Sequence, residues 1–170
     1  MAANNAPVFL VDPDSDPVLV KVRGRASFMN SQPIREFLQK SIQAGRRRFA
    51  IDFSECTGMD STSLGVLAGT ALELRKSVPR GSLVFCGLNA RKLELVRNLG
   101  LHRLATVDTG EAISGEGGEP TTALSGEKLS EIENARLCLE AHQNLVKADA
   151  DNLGKFQDVI ALLKGRLDEG

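Results

Sequence analysis

The chain has 170 residues, a formal net charge of −1, seven Phe and neither Trp nor Tyr. Its 42% hydrophobic and 25% charged content excludes global disorder and collagen-like repeats, and no apolar run nears the ~18 residues that a membrane-spanning helix needs. The opening Met1 to Pro7 has neither the basic patch nor the apolar run of a secretory leader, and the missing Trp and Tyr argue against a nucleic-acid binder built on stacking platforms.

The elements follow in chain order. Val8 to Val11 reads as a short apolar strand, and Asp12 to Pro17, with two Pro and three Asp, as a turn. Val18 to Gly24 is a second strand, so the two form a hairpin. Asn30 or Ser31 can cap a helix with Pro33 in its first turn. Ile34, Phe37, Leu38, Ser41 and Ile42 then recur at helical spacing up to Gly45. Phe49 to Phe53 is an apolar strand, and Ser54 to Gly58 reads as a turn. Asp60 to Ser63 opens a helix running to Leu74, in which Gly65, Ala68 and Gly69 suit close packing against a sheet. Ser82 to Leu88 is a buried strand, Asn89 caps a helix up to Leu99, and Leu101 to Val107 is a last extended segment in which His102 is expected to pack.

Strands alternating with helices give an α/β fold with a sheet and packed helices over residues 1–108. Residues 109–126 carry Gly110, Gly115, Gly117, Gly118, Pro120 and Gly126 and read as a Gly-rich linker. Residues 127–170 read as an α-helical extension, either one long helix or a helical hairpin, with Asp149 to Gly154 favouring the hairpin. The small net charge is a cancellation: residues 1–108 carry a net +5 and residues 109–170 a net −6. The extension is therefore expected to serve as an interaction element, to form a homodimer through its helices, or to fold back on the basic domain.

Cys56, Cys86 and Cys138 match no zinc or redox spacing, which suits a reduced, cytoplasmic protein. Cys138 and His142 lie four apart and supply only half a metal site, so no metal and no cofactor is expected. The sequence has no G-x-S-x-G elbow, H-E-x-x-H or phosphate loop, and no base accompanies Ser61. An enzyme or nucleotide-binding module is therefore the weaker reading, and no catalytic residue is assigned.

Chemistry concentrates at Met59-Asp60-Ser61-Thr62-Ser63, where three hydroxyls meet a helix N-terminus. Free N–H groups and the positive end of the helix dipole favour an anion there. A phosphoryl group on Ser61 would add roughly 1.5 to 2 negative charges and alter docking without refolding the domain. The plainer reading is that Asp60, Ser61 and Thr62 only cap the helix.

Several of these pieces, in this order, resemble a STAS domain of the bacterial anti-sigma factor antagonist type. Val22-Arg23-Gly24-Arg25 with Asn30-Ser31 is similar to that family's second strand and first helix entry. Ala50-Ile51-Asp52-Phe53-Ser54 is similar to its central strand, and Asp60-Ser61-Thr62-Ser63-Leu64-Gly65 to its Asp-Ser-Ser/Thr-Gly-Leu-Gly signature. Leu83 to Leu88 and Leu99 to Leu104 are similar to its closing elements. The resemblance covers roughly residues 8–108 and implies a mixed β-sheet with helices packed on one side.

The resemblance also implies a partner switch. Ser61 would be phosphorylated by an anti-sigma factor serine kinase and restored by a serine phosphatase, with the unphosphorylated form binding the kinase. Asp60, Thr62, Ser63, Leu64, Phe28, Met29 and Asn30 would form the partner-binding surface, with no nucleic acid and no membrane insertion. This chain departs from the pattern at Ser63, where the family usually has Gly. It departs again at Ala26-Ser27-Phe28-Met29, which replaces an Asp-bearing loop with a more apolar one. The alternative is a constitutive STAS adaptor or structural subunit of a transport or signalling assembly, without phosphorylation.

Overall fold

The computed structural model describes residues 8–108 and 120–169. The elements are β1 (Phe9–Asp12), β2 (Val18–Ala26), α1 (Ser31–Gln43), β3 (Arg48–Met59), α2 (Ser61–Lys76), β4 (Ser82–Cys86), α3 (Ala90–Asn98), β5 (Thr106–Asp108), β6 (Thr122–Ala123), α4 (Glu131–Ala148) and α5 (Asn152–Glu169), with one 3-10 turn at Leu101–Arg103. They form one mixed sheet in the order β5-β4-β3-β2-β1-β6. The β1–β2 hairpin is antiparallel, as are β1 and β6, while β2, β3, β4 and β5 run parallel.

The central position of β3 explains its sequence. Phe49, Ala50, Ile51 and Phe53 are all buried, as a strand flanked by parallel neighbours and covered by a helical layer requires. Phe49, Ile51 and Phe53 share a core with Val18, Val20 and Val22 of β2, Phe85 of β4 and Ile34 and Leu38 of α1. The Phe53 and Phe85 rings meet edge-on at 5.4 Å, a favoured geometry for aromatic pairs.

The stretch expected to turn at Ser54 to Gly58 stays in β3, because Glu55, Cys56, Gly58 and Met59 continue to pair with Arg23, Gly24, Arg25 and Ala26 through two register shifts. The shifts absorb extra residues of β3 between Asp52 and Glu55 and at Thr57, and carry both strands to the same end of the sheet. Lys21 is buried beside this stretch and pairs with Glu55; this holds the Glu55 carboxyl below its usual range. The segment after α3 winds into a 3-10 turn before β5, and His102 is exposed there rather than packed.

Of the expected linker, residues 109–119 lie outside the described residues, and Thr122 and Ala123 extend the sheet beside β1. Residues 127–170 contain two helices that break at Asp149 to Asp151. Ser130 caps α4 in a reciprocal box with Glu133. The turn is fastened to the fold by Asn152, fully buried, whose Nδ2 donates to the carbonyls of Leu99 at 2.9 Å and Leu145 at 2.7 Å. Leu137, Ala141 and Leu145 of α4 join the domain core, so this helix lies directly over α2. Among the described residues, Arg35 pairs with Glu140 and Arg103 with Asp149 across the oppositely charged halves.

Candidate functional site at the start of α2

The sheet delivers Ala26 and Met59 side by side, and the chain turns at Asp60 into α2. Asp60 is extended and accepts the Ser63 N–H at Oδ1, 2.8 Å away, which satisfies one of the free donors of the helix. Its Oδ2 accepts the Phe28 N–H at 2.9 Å, and its own N–H donates to the Ala26 carbonyl at 3.2 Å. One carboxylate thus fastens the entry to α2 and the loop before α1 together.

Asn30 does not cap α1 with its side chain. It turns back into the loop, its Oδ1 accepting the Ser27 N–H and its Nδ2 donating to the Arg25 carbonyl, both at 2.9 Å. The backbone of Ser27 to Asn30 is therefore held while Phe28 and Met29 remain 41% and 79% exposed. These are exposed large apolar side chains on the loop that Asp60 holds against the helix start.

The hydroxyl cluster is the first turn of α2 itself. Ser63 is buried, its Oγ donating to the Asp60 carbonyl at 2.9 Å, and Leu64 is fully buried in the core. Thr62 is buried and its hydroxyl donates to Sγ of Cys138 at 3.6 Å. Of the residues expected at a docking surface, Phe28 and Met29 are exposed, Asn30, Asp60 and Ser61 half-buried, and Thr62, Ser63 and Leu64 buried.

Ser61 has a partner that sequence reasoning missed. Its Oγ lies 2.8 Å from Nε2 of His142 on α4. Nδ1 of the same ring lies 2.6 Å from the Cys138 carbonyl, an acceptor only, so Nδ1 carries the proton and Nε2 accepts from the Ser61 hydroxyl. His142 is buried and stacks edge-on against Phe156 of α5 at 5.0 Å. The expectation that no base accompanies Ser61 is thus corrected: serine and imidazole are paired across the two halves of the chain. Cys138 turns onto Thr62, and burial raises its thiol pKa.

A second correction concerns Gly65 and Gly69, which face α4 rather than the sheet. A Cβ on Gly65 would lie 2.7 Å from the Ala141 Cβ and closer still to the Ala141 carbonyl. A Cβ on Gly69 would strike the Asn144 side chain, whose Nδ2 donates to the Gly65 carbonyl at 3.2 Å. Arg35 of α1 grips Glu140 of α4 through two nitrogens, at 2.5 and 2.9 Å. This bond raises the Arg35 pKa and keeps it charged. The signal for this contact was the pairing of small residues at Gly65 and Gly69 with the Cys138, Ala141, His142 and Leu145 face of the later helix. A helical glycine costs about 1 kcal/mol relative to Ala, and two on one face mark a close approach.

Beside the site, a groove of about 690 Å³ is lined by Arg25, Gly58, Met59, Arg91, Lys92 and Leu95, among others. No helix among the described residues is long and apolar enough to cross a membrane.

Residues 9–107 match the family model described as Mlab, STAS domain. No curated protein matches the chain. Among solved structures, an anti-sigma factor antagonist from Mycobacterium paratuberculosis is 20% identical with a TM-score of 0.53, over 65% of this chain and 92% of that one. The unphosphorylated form of the anti-sigma factor antagonist SpoIIAA is 16% identical with a TM-score of 0.50, over 60% of this chain and 88% of that one. At these identities the likeness is one of fold.

Proposed function

The chain belongs to the STAS domain family, and from that membership we propose that it is a partner-switching module of the anti-sigma factor antagonist kind, with Ser61 as its phosphorylation site. The observation that carries this reading is the position of Ser61. It is the first residue of α2, directly after the Asp60 clamp and beside the exposed Phe28 and Met29. A phosphoryl group there meets the positive end of the helix dipole and needs no change in the sheet. It also changes the charge of the surface on which Phe28 and Met29 stand. The partner is an anti-sigma factor serine kinase, and a serine phosphatase resets the switch. The protein itself performs no catalysis in this scheme, and the exchange takes place in the cytoplasm. The C-terminal helices, with Leu153 and Leu162 more than half exposed, supply a contact for homodimer formation.

The test is to incubate the protein with ATP and a cognate anti-sigma kinase and to map phosphate by mass spectrometry. A pull-down then compares wild type with Ser61→Asp. Phosphate on Ser61 and loss of kinase binding in the variant are expected. Phosphate elsewhere or nowhere, with Ser61→Ala and Ser61→Asp binding as wild type does, overturns the reading in favour of a constitutive adaptor.

A further inference from the structure

The outer face of α2 is already occupied. Building on the reading that α2 and Ser61 form the partner face, we propose that this face is a helix-docking groove and that α4 is its resident, displaceable occupant. An external partner then gains the groove by competing with α4.

The geometry defines what the groove accepts. Its floor is Gly65 and Gly69, which leave room for backbone approach and admit only a small residue, Ala141, at the crossing. One residue before that alanine, Glu140 reaches Arg35; one residue after, His142 accepts from Ser61; three after, Asn144 donates to the Gly65 carbonyl. Leu137 and Leu145 flank these positions and are buried. A competing partner is therefore a protein helix with a small residue at its centre, an acid just before it, and a hydrogen-bond acceptor and an amide after it. This is helix-in-groove recognition with polar specificity.

Displacement leaves the sheet intact. The family-matched residues 9–107 supply the Phe49, Ile51, Phe53 and Phe85 core with α1 and α2, and α4 adds Leu137, Ala141 and Leu145 to it, whereas α5 leans mainly on α4 and exposes Leu153, Val159 and Leu162. To leave as a unit, the hairpin gives up the Asn152 bond to the Leu99 carbonyl and the Arg35–Glu140 and Arg103–Asp149 pairs. While α4 is seated, the Ser61 hydroxyl is bonded to His142 beneath it, so the same helix shields the modification site and the docking face.

Native-state hydrogen exchange on the full-length wild-type chain tests displacement, combined with maleimide labelling of Cys138. The α4 amides and Cys138 are expected to open together, at least ~100-fold more often than the β3 amides, as a separate cooperative unit does. Exchange of α4 at the same global rate as β3 overturns the inference. Occupancy is tested with a fluorescent peptide of residues 130–149 added to full-length chains. It should bind an Ala141→Leu chain, whose own α4 no longer fits over Gly65, at least ~10-fold more tightly than wild type. Adding Gly65→Ala should abolish that binding. Equal binding to both chains, or to neither, overturns the inference. No kinase is needed, so these results stand apart from the fate of Ser61: phosphorylation with a fixed α4 sinks this inference alone, and a mobile α4 with no phosphate on Ser61 sinks only the switch.

Discussion

The Ser61 hydroxyl donates to Nε2 of His142, and the His142 ring is fixed in turn by the Cys138 carbonyl one helical turn earlier. This single hydrogen bond joins the first residue of α2 to the C-terminal hairpin. Ser61→Ala leaves a buried imidazole nitrogen without its donor, which costs about 1–3 kcal/mol. Thermal unfolding should move down by roughly 2–4 °C per kcal/mol for a chain of this length. A melting temperature equal to wild type would show that the bond does not form in solution.

Glycine substitutions separate packing from propensity. Gly65→Ala gains about 1 kcal/mol in helix propensity but drives a methyl group into the Ala141 backbone, and overpacking of this kind costs about 1–3 kcal/mol. The net expectation is destabilisation, read by denaturant melts. Gly165→Ala on α5 meets nothing within 4 Å and should stabilise by up to about 1 kcal/mol. Equal effects at the two sites would contradict the close approach of α4 to α2.

Asn152 links three elements with one side chain. Asn152→Leu removes the donor to the Leu99 and Leu145 carbonyls; the Leu145 carbonyl keeps the Asp149 N–H, whereas the Leu99 carbonyl loses its Asn152 donor in a buried place. A loss of about 1–3 kcal/mol is expected, with faster hydrogen exchange at the end of α4 as the local signature.

Acid should loosen the start of α4. The Glu133 carboxyl accepts from Ser130, and these bonds hold its pKa below the ordinary carboxylate value. A depressed folded pKa stabilises above the unfolded pKa, and that stabilisation is lost as pH falls through the folded value. Protection factors, meaning exchange corrected for its intrinsic pH dependence, should therefore fall at Ser130 to Glu133 below about pH 4. In Glu133→Gln, which has no carboxyl to titrate, this acid step should disappear; its persistence would assign the effect elsewhere.

Much of the fold was legible along the chain because its signals are local. Asp60 and Asn89 accept the N–H three residues on, and the apolar runs of β2 and β3 mark strands buried on both faces. The reading of Ser54 to Gly58 as a turn failed because polar and glycine residues were weighed without their neighbour strand, which pairs with them through two bulges. The loop of Phe28 and Met29 was legible as an exposed apolar patch, but the clamp on it was not, because Asp60 reaches it from 32 positions away.

By itself, the sequence determined the alternating strands and helices, the caps, the family pattern around Asp60 and Ser61, and the opposite charges of the two halves. Only the tertiary structure decided that α4 lies on α2, that Gly65 and Gly69 serve that contact, and that His142 meets Ser61 from 81 positions away. Local signals depend on neighbours within a few residues, so they can be read in line. The pairing of one amphipathic face with another depends on shape and charge summed over both, and many faces satisfy the same periodicity until packing selects one.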